Sequence, residues 1–177
     1  MLISESYRTL NKKLHESNPG YGKSGARLLP SVLMLCKEIG SQDILDYGCG
    51  KRTLERALGF EIKNYDPAID GIDGTPEPAD LVVCSDVLEH IEPETLDDVL
   101  DDLKRVIRMV GLFTICILPA QKVLEDGRNA HLIQQDWRWW SPKILARFEV
   151  LKMELIGAHI WLIVKKDGQI NGERKAL

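Results

Sequence analysis

Apolar positions repeat along this chain with two periods, one helical and one extended. Leu2, Tyr7, Leu10 and Leu14 recur at helical spacing, with Ser4 placed as an N-cap. Residues 15–25 are a turn-rich connection. Pro30 to Ile39 reads as a helix, with proline early and Gly40 just past the end. Ile44 and Leu45 form a short buried strand closed by Asp46, and Thr53, Leu54, Ala57 and Leu58 form a short helix stopped by Gly59. Glu61 to Tyr65 is a second strand, ending at Asp66-Pro67. Ala79 to Cys84 is nearly continuous in apolar residues, as buried parallel strands are. Thr95 to Met109 is amphipathic, its apolar face built from Leu96, Val99, Leu100, Leu103, Val106 and Ile107. Asp97 and Asp98 open it, Lys104, Arg105 and Arg108 close it, and Gly111 ends it. Leu112 to Leu118 is another buried strand, stopped by Pro119. After a long loop to Trp140, Ser141-Pro142 starts a helix to about Arg147 as N-cap and first position. Phe148 to Leu155 and His159 to Val164 make an antiparallel hairpin around Gly157.

Strands alternating with helices predict an α/β fold on a mostly parallel sheet, with a C-terminal antiparallel hairpin. One edge is short of material. Residues 67–79 hold Pro67, Gly71, Gly74, Pro76 and Pro78, which leaves no room for a helix and a further strand. That edge is expected as a loop or a very short strand, with Asp70 or Asp73 placed to reach a bound ligand.

The chemistry concentrates between Asp43 and Leu54, where a strand, a glycine turn and a helix follow at once. Such a turn offers backbone N–H groups to a ligand, and glycine permits both close approach and positive φ. The spacing Gly48-x-Gly50-x-x-Thr53 lacks the third glycine of the nicotinamide-type fingerprint. Asp66 stands twenty residues after Asp46, at the end of the second strand. An acid there is placed to accept hydrogen bonds from ribose hydroxyls.

The order acid-x-Gly-x-Gly, from Asp46 to Gly50, resembles the first motif of class I methyltransferases, which use S-adenosylmethionine (SAM). Arg52 stands where a third glycine is common in that family. Some forty residues on, Asp80-Leu-Val-Val-Cys-Ser-Asp-Val-Leu-Glu-His is similar to the family's fourth-strand segment, where "D-V-L-E-H" is frequent. The resemblance covers residues 40–118 well and the hairpin loosely. More narrowly, Leu14–Gly22 and Asn129–His131 are similar to segments of compact methyltransferase-like proteins encoded by bacteriophages.

The resemblance implies a Rossmann-like class I fold with an abbreviated third-strand region, and SAM-dependent methyl transfer to an oxygen or nitrogen. It implies SAM held by Asp46, Gly48, Gly50, Asp66 and Pro67, lined by Ser85 and Asp86, and covered by Tyr21 from an N-terminal lid. His90 and His131 are the expected acceptor-side residues, beside Glu89, because histidine titrates near working pH and can take the acceptor's proton. His15, on the lid, is expected to face the substrate. Asp86-x-x-Glu89-His90 also resembles a pattern that binds a divalent metal in some methyltransferases; the reading adopted places no metal there. The Asn/Asp-Pro-Pro-aromatic motif of exocyclic-amine DNA methylases is absent, as is a Pro-Cys pair for attack on cytosine.

Composition changes this picture little. At 177 residues one domain is expected, 1–166, with residues 1–25 as helix and lid and 167–177 as a polar tail. A net charge of −4 gives no general attraction to nucleic acid or anionic membranes. Trp137, Trp139 and Trp140 beside Arg138 could stack on bases, although packing against the sheet is the plainer role, so nucleic acid is not the favoured partner. The expected partner is a small-molecule or nucleobase-containing acceptor. No apolar run suits a membrane span, no signal peptide is evident, and four scattered cysteines fit a reducing cytoplasm. Two rivals stand: an inactive SAM-fold binding or regulatory protein, and a nicotinamide-dependent enzyme.

Overall fold

Strand β3 (Ala79–Ser85) is the buried axis of the protein, with six of its seven residues buried. The computed structural model describes residues 1–166, so the expected tail lies outside the described residues. Around β3 the sheet runs β2-β1-β3-β4-β6-β5. Here β1 is Ile44–Tyr47, β2 Lys63–Tyr65, β4 Ile107–Cys116, β5 Phe148–Ile156 and β6 His159–Lys166. The first four are parallel; β6 runs antiparallel to β4, and β5 antiparallel to β6. This is the Rossmann-like arrangement expected, with the terminal hairpin turning at Gly157 in a left-handed conformation.

Alternation along the strands builds a core on each face of the sheet. Leu45, Val82 and Cys84 face helices α4 (Leu96–Val106) and α5 (Trp137–Leu145), whose Val99, Leu100, Leu103, Trp140 and Ile144 cover them. Ile44, Leu81 and Val83 face α2 (Leu29–Ile39) and α3 (Thr53–Leu58) through Val32, Leu35 and Leu54. Helix α1 (Glu5–Ser17), capped by the Ser4 side chain, reaches across loops that follow β2 and β4. Its Lys12 pairs with Asp70 and its Arg8 with Asp73, so these two acids hold the helix and do not reach into the cavity below. No helix among the described residues is long and apolar enough to cross a membrane.

Residues 67–78 form neither a helix nor a sheet strand, as the prolines and glycines require. The largest departures from the expected boundaries are at α4, β4 and α5, and α1 runs on to Ser17, which puts His15 in the helix. Helix α4 ends at Val106, and Gly111 lies inside β4 rather than ending the helix. A Cβ there would meet Ile107 Cδ1 at 2.8 Å and Val164 Cγ2 at 2.9 Å, so the glycine is a packing requirement of the sheet. Helix α5 begins at Trp137, because the Asp136 side chain accepts the Arg138 and Trp139 N–H groups. That cap overrides Ser141-Pro142, and Pro142 lies inside the helix. Trp140 packs into the core, while Trp137 stays exposed beside Arg138.

Arg52 takes φ 50°, ψ 42°, the left-handed conformation a glycine would adopt without a Cβ penalty. That conformation costs a side chain roughly 1–2 kcal/mol, against the roughly 0.5–1 kcal/mol entropic cost of glycine. The side chain is exposed. Arg52→Gly should therefore raise the unfolding free energy by about 0.5 kcal/mol in urea titration. A loss of stability would show that Arg52 makes a contact outweighing its backbone strain.

Candidate active site

At the C-terminal rim of the parallel strands lies one cavity of about 380 Å³. Ligands bind at this rim in open α/β sheets, and the volume is that of an ordinary small-molecule site. Its floor is the turn after β1. Gly48 takes φ 76° and Gly50 φ 50°, so both need the freedom of glycine. Gly48 also lies against Val87, where a Cβ would sit 2.4 Å from Cγ2.

Asp66 ties this turn to the end of β2. Its Oδ2 accepts the Gly50 N–H at 3.0 Å and its Oδ1 the Ala68 N–H at 3.0 Å. Burial raises its pKa, while His15 and the two backbone N–H groups pull it back. Asp46 lies behind the turn and is the expected cofactor residue that does not line the cavity. Its Oδ2 has no partner, and burial, with Asp66 and then Glu55, lifts its pKa to about 7.

The segment expected as a lid follows α1. Gly22 lies on Gly50 so closely that a Cβ on Gly50 would be 2.7 Å from Gly22 Cα. The Lys51 N–H donates to Gly22 O and the Lys51 ammonium to His15 O. Tyr21 is buried over the cavity, its hydroxyl bonded to Asn11 Oδ1 and its ring edge-on to His15 and His90. His15 faces Asp66, with Nε2 3.9 Å from Oδ2, rather than the acceptor side expected for it.

Ser85 and Asp86 close β3. Asp86 takes φ 52°, and its Oδ1 receives Arg27 at 2.6 Å and the Thr114 hydroxyl at 2.9 Å, so this carboxylate is already engaged. Ser85 lies 3.2 Å from the Thr114 hydroxyl, and its carbonyl accepts from Ser24 of the lid.

Across the cavity stand Glu89, His90 and His131. Glu89 is fully buried; Oε1 accepts the Cys116 N–H at 2.8 Å and Oε2 has no partner. Burial, and secondarily Asp86, pushes its pKa up to about 8, so it is protonated at neutral pH. His90 Nδ1 donates to Ala130 O at 2.7 Å, while burial and the neighbouring His131 bring its pKa down to about 3. His90 therefore stays neutral, and the expectation that it titrates near working pH does not hold. His131 Nδ1 donates to Leu118 O at 2.5 Å, and its ring lies edge-on to His90 with centroids 4.7 Å apart. One ligand atom from each of Glu89, His90 and His131 lies within 4.8 Å of the other two.

The cavity thus brings together Gly48, Gly50, Asp66, Pro67, Tyr21, Ser85, Asp86, Glu89, His90 and His131. Sequence reasoning missed Tyr7 and Asn11, and misdirected His15, which share the wall contributed by α1. Their four-residue spacing marks one helix face and was the available signal. Tyr7 donates to His90 O at 2.6 Å and so helps fix His90 in the cavity wall.

The fit to SAM is good on local grounds. The cavity has a glycine floor without side chains, a buried carboxylate at the end of β2, and polar residues at the end of β3. Comparison with known proteins agrees. A "Methyltransferase domain" family model matches residues 9–152. No curated protein matches the chain. Among solved structures, the chain is similar to 1,6-didemethyltoxoflavin-N1-methyltransferase of Burkholderia thailandensis, solved with that compound and S-adenosylhomocysteine (SAH). Identity is 15%, TM-score 0.65, covering 94% of this chain and 91% of that one. Magnesium protoporphyrin IX methyltransferase of Synechocystis PCC 6803, solved with SAH, is 14% identical with TM-score 0.54, covering 78% and 82%. At these identities the likeness shows a shared fold.

Proposed function

Because the chain belongs to the methyltransferase-domain family, we propose that it binds SAM in this cavity and methylates an oxygen or nitrogen of a small or nucleobase-containing acceptor. Membership removes the nicotinamide-dependent rival. The observation that carries the reading is the division of the cavity: the glycine turn and Asp66 on one wall, Glu89, His90 and His131 on the other. When bound, SAM supplies an electrophilic methyl group on a sulfonium sulfur.

The chain's own contribution is positioning and proton handling. Gly48 and Gly50 leave room for the cofactor, and Asp66 receives ribose hydroxyls. Tyr21 covers the site and excludes water. Holding nucleophile and methyl carbon in near-attack geometry supplies several orders of magnitude in rate. His90 and protonated Glu89 orient the acceptor, and His131, half-buried at the rim, receives its proton.

Protein incubated with tritiated SAM and a panel of phenols, amines and nucleosides should transfer label. His131→Ala should then lower kcat about a hundredfold while SAH affinity stays unchanged. No transfer to any acceptor, with SAH bound, would favour the non-catalytic rival. A second reading rests on the unpartnered Glu89 Oε2 and on two histidines whose Nδ1–H groups are both taken by carbonyls, as in metal sites. A divalent cation held there would lower the acceptor's pKa in place of His131. Loss of activity in chelator, restored by Mn²⁺, would favour it; unchanged activity would exclude it.

A further inference from the structure

His15 sits at the last turn of α1 with its side chain only 12% exposed, against an Asp66 carboxylate exposed at 9%. Its Nδ1 is buried and has no partner. Nδ1 is unpartnered in either tautomer, whereas Nε2 faces a carboxylate oxygen, which favours a donor there, so the ring carries its proton on Nε2. That Nε2–H faces Asp66 Oδ2 at 3.9 Å. The separation is too long for a direct hydrogen bond. One oxygen seated about 2.8 Å from both atoms would span it at an angle of about 90°. Such an oxygen must accept from the imidazole and donate to the carboxylate, which a hydroxyl can do. Both residues line the cavity.

We propose that His15 is a cofactor-binding residue whose Nε2–H, together with Asp66, holds one ribose hydroxyl of SAM. The inference rests on the SAM reading above. The lid's other fastenings are already made: Gly22 on Gly50 and Lys51 to His15 O. These hold the chain around His15 in place without ligand, and they leave the imidazole free to meet the sugar.

The test is calorimetric titration of wild type, His15→Ala and His15→Gln with SAH and with its 2′-deoxy and 3′-deoxy analogues. His15→Ala should weaken SAH about tenfold, the scale of one hydrogen bond to a partly charged site. One deoxy analogue should bind wild type more weakly than SAH by at least that factor. Removing that hydroxyl should cost His15→Ala clearly less than it costs wild type, because the two losses share one contact. Glutamine, which keeps an N–H donor, should recover part of the affinity. Equal losses for wild type and His15→Ala with both analogues would overturn the inference, as would unchanged SAH affinity in His15→Ala. A wild type that ignores SAH altogether would overturn the SAM reading and this inference with it.

Discussion

Asp66→Ala should lower affinity for SAH about a thousandfold. Two losses combine. The carboxylate that would receive ribose hydroxyls is gone, and a hydrogen bond to a charged group contributes about 1.5–3 kcal/mol. The Gly50 and Ala68 N–H groups also lose their acceptor in a buried place, at about 1–3 kcal/mol each when left unpaired. Part of that second loss falls on fold stability, part on the shape of the glycine turn that carries the cofactor. Together they reach about 4 kcal/mol, the equivalent of three decades in Kd. Asp66→Asn separates the two: its side-chain oxygen still accepts one backbone N–H, so it should bind more tightly than the alanine variant yet well below wild type. Calorimetry with SAH reads both. Affinity within a few-fold of wild type in Asp66→Ala would remove Asp66 from the cofactor site.

Glu89→Gln should flatten the pH dependence of stability. In the folded protein Glu89 holds its proton up to about pH 8, against an ordinary value of 4.5. Between those values the native state binds a proton that the unfolded chain has released. Stability therefore falls as pH rises through that window, and is fully present below it. The slope approaches about 1.4 kcal/mol per pH unit, so about 3 kcal/mol is lost between pH 5 and pH 8. Asp46, raised to about 7 from 3.8, acts in the same direction over a lower range. Glutamine keeps the oxygen that accepts Cys116 N–H and cannot ionise, so it should match the protonated native residue in shape. Urea midpoints from pH 5 to 8 measure this: stability should fall more steeply for wild type than for Glu89→Gln, most clearly above pH 6.5, where the lowered pKa of His90 no longer acts in the opposite direction. Parallel curves would show that Glu89 is ionised in the native state, as the metal reading needs.

Much of this was legible in the sequence, because the signals were local. Strands β1, β3 and β6 announce themselves by apolar runs, and α2 by Pro30 and Gly40. The missing strand was read from five turn residues in a stretch of thirteen. Of the candidate site residues, all but Asp46 line one cavity. What was hidden depends on contacts between distant segments. Nothing local marks Gly111 as a sheet residue, since its reason is the packing of Ile107, Phe113 and Val164 around it. Nothing near His90 shows that burial and His131 would hold it neutral. His15 was assigned to the acceptor because its loop looked like a lid; only the fold brings it to Asp66, fifty-one residues on. The pairing of Asp86 with Arg27 is equally non-local: Asp86 lines the cavity, with one carboxylate oxygen already engaged by an ion pair.

The most direct test of the central reading is calorimetric titration of the wild-type chain with SAH at pH 7. The expected result is saturable one-site binding with a micromolar Kd. Absence of saturable heat, from protein shown to be folded by its thermal transition, would contradict SAM binding in this cavity and leave a methyltransferase fold without its cofactor.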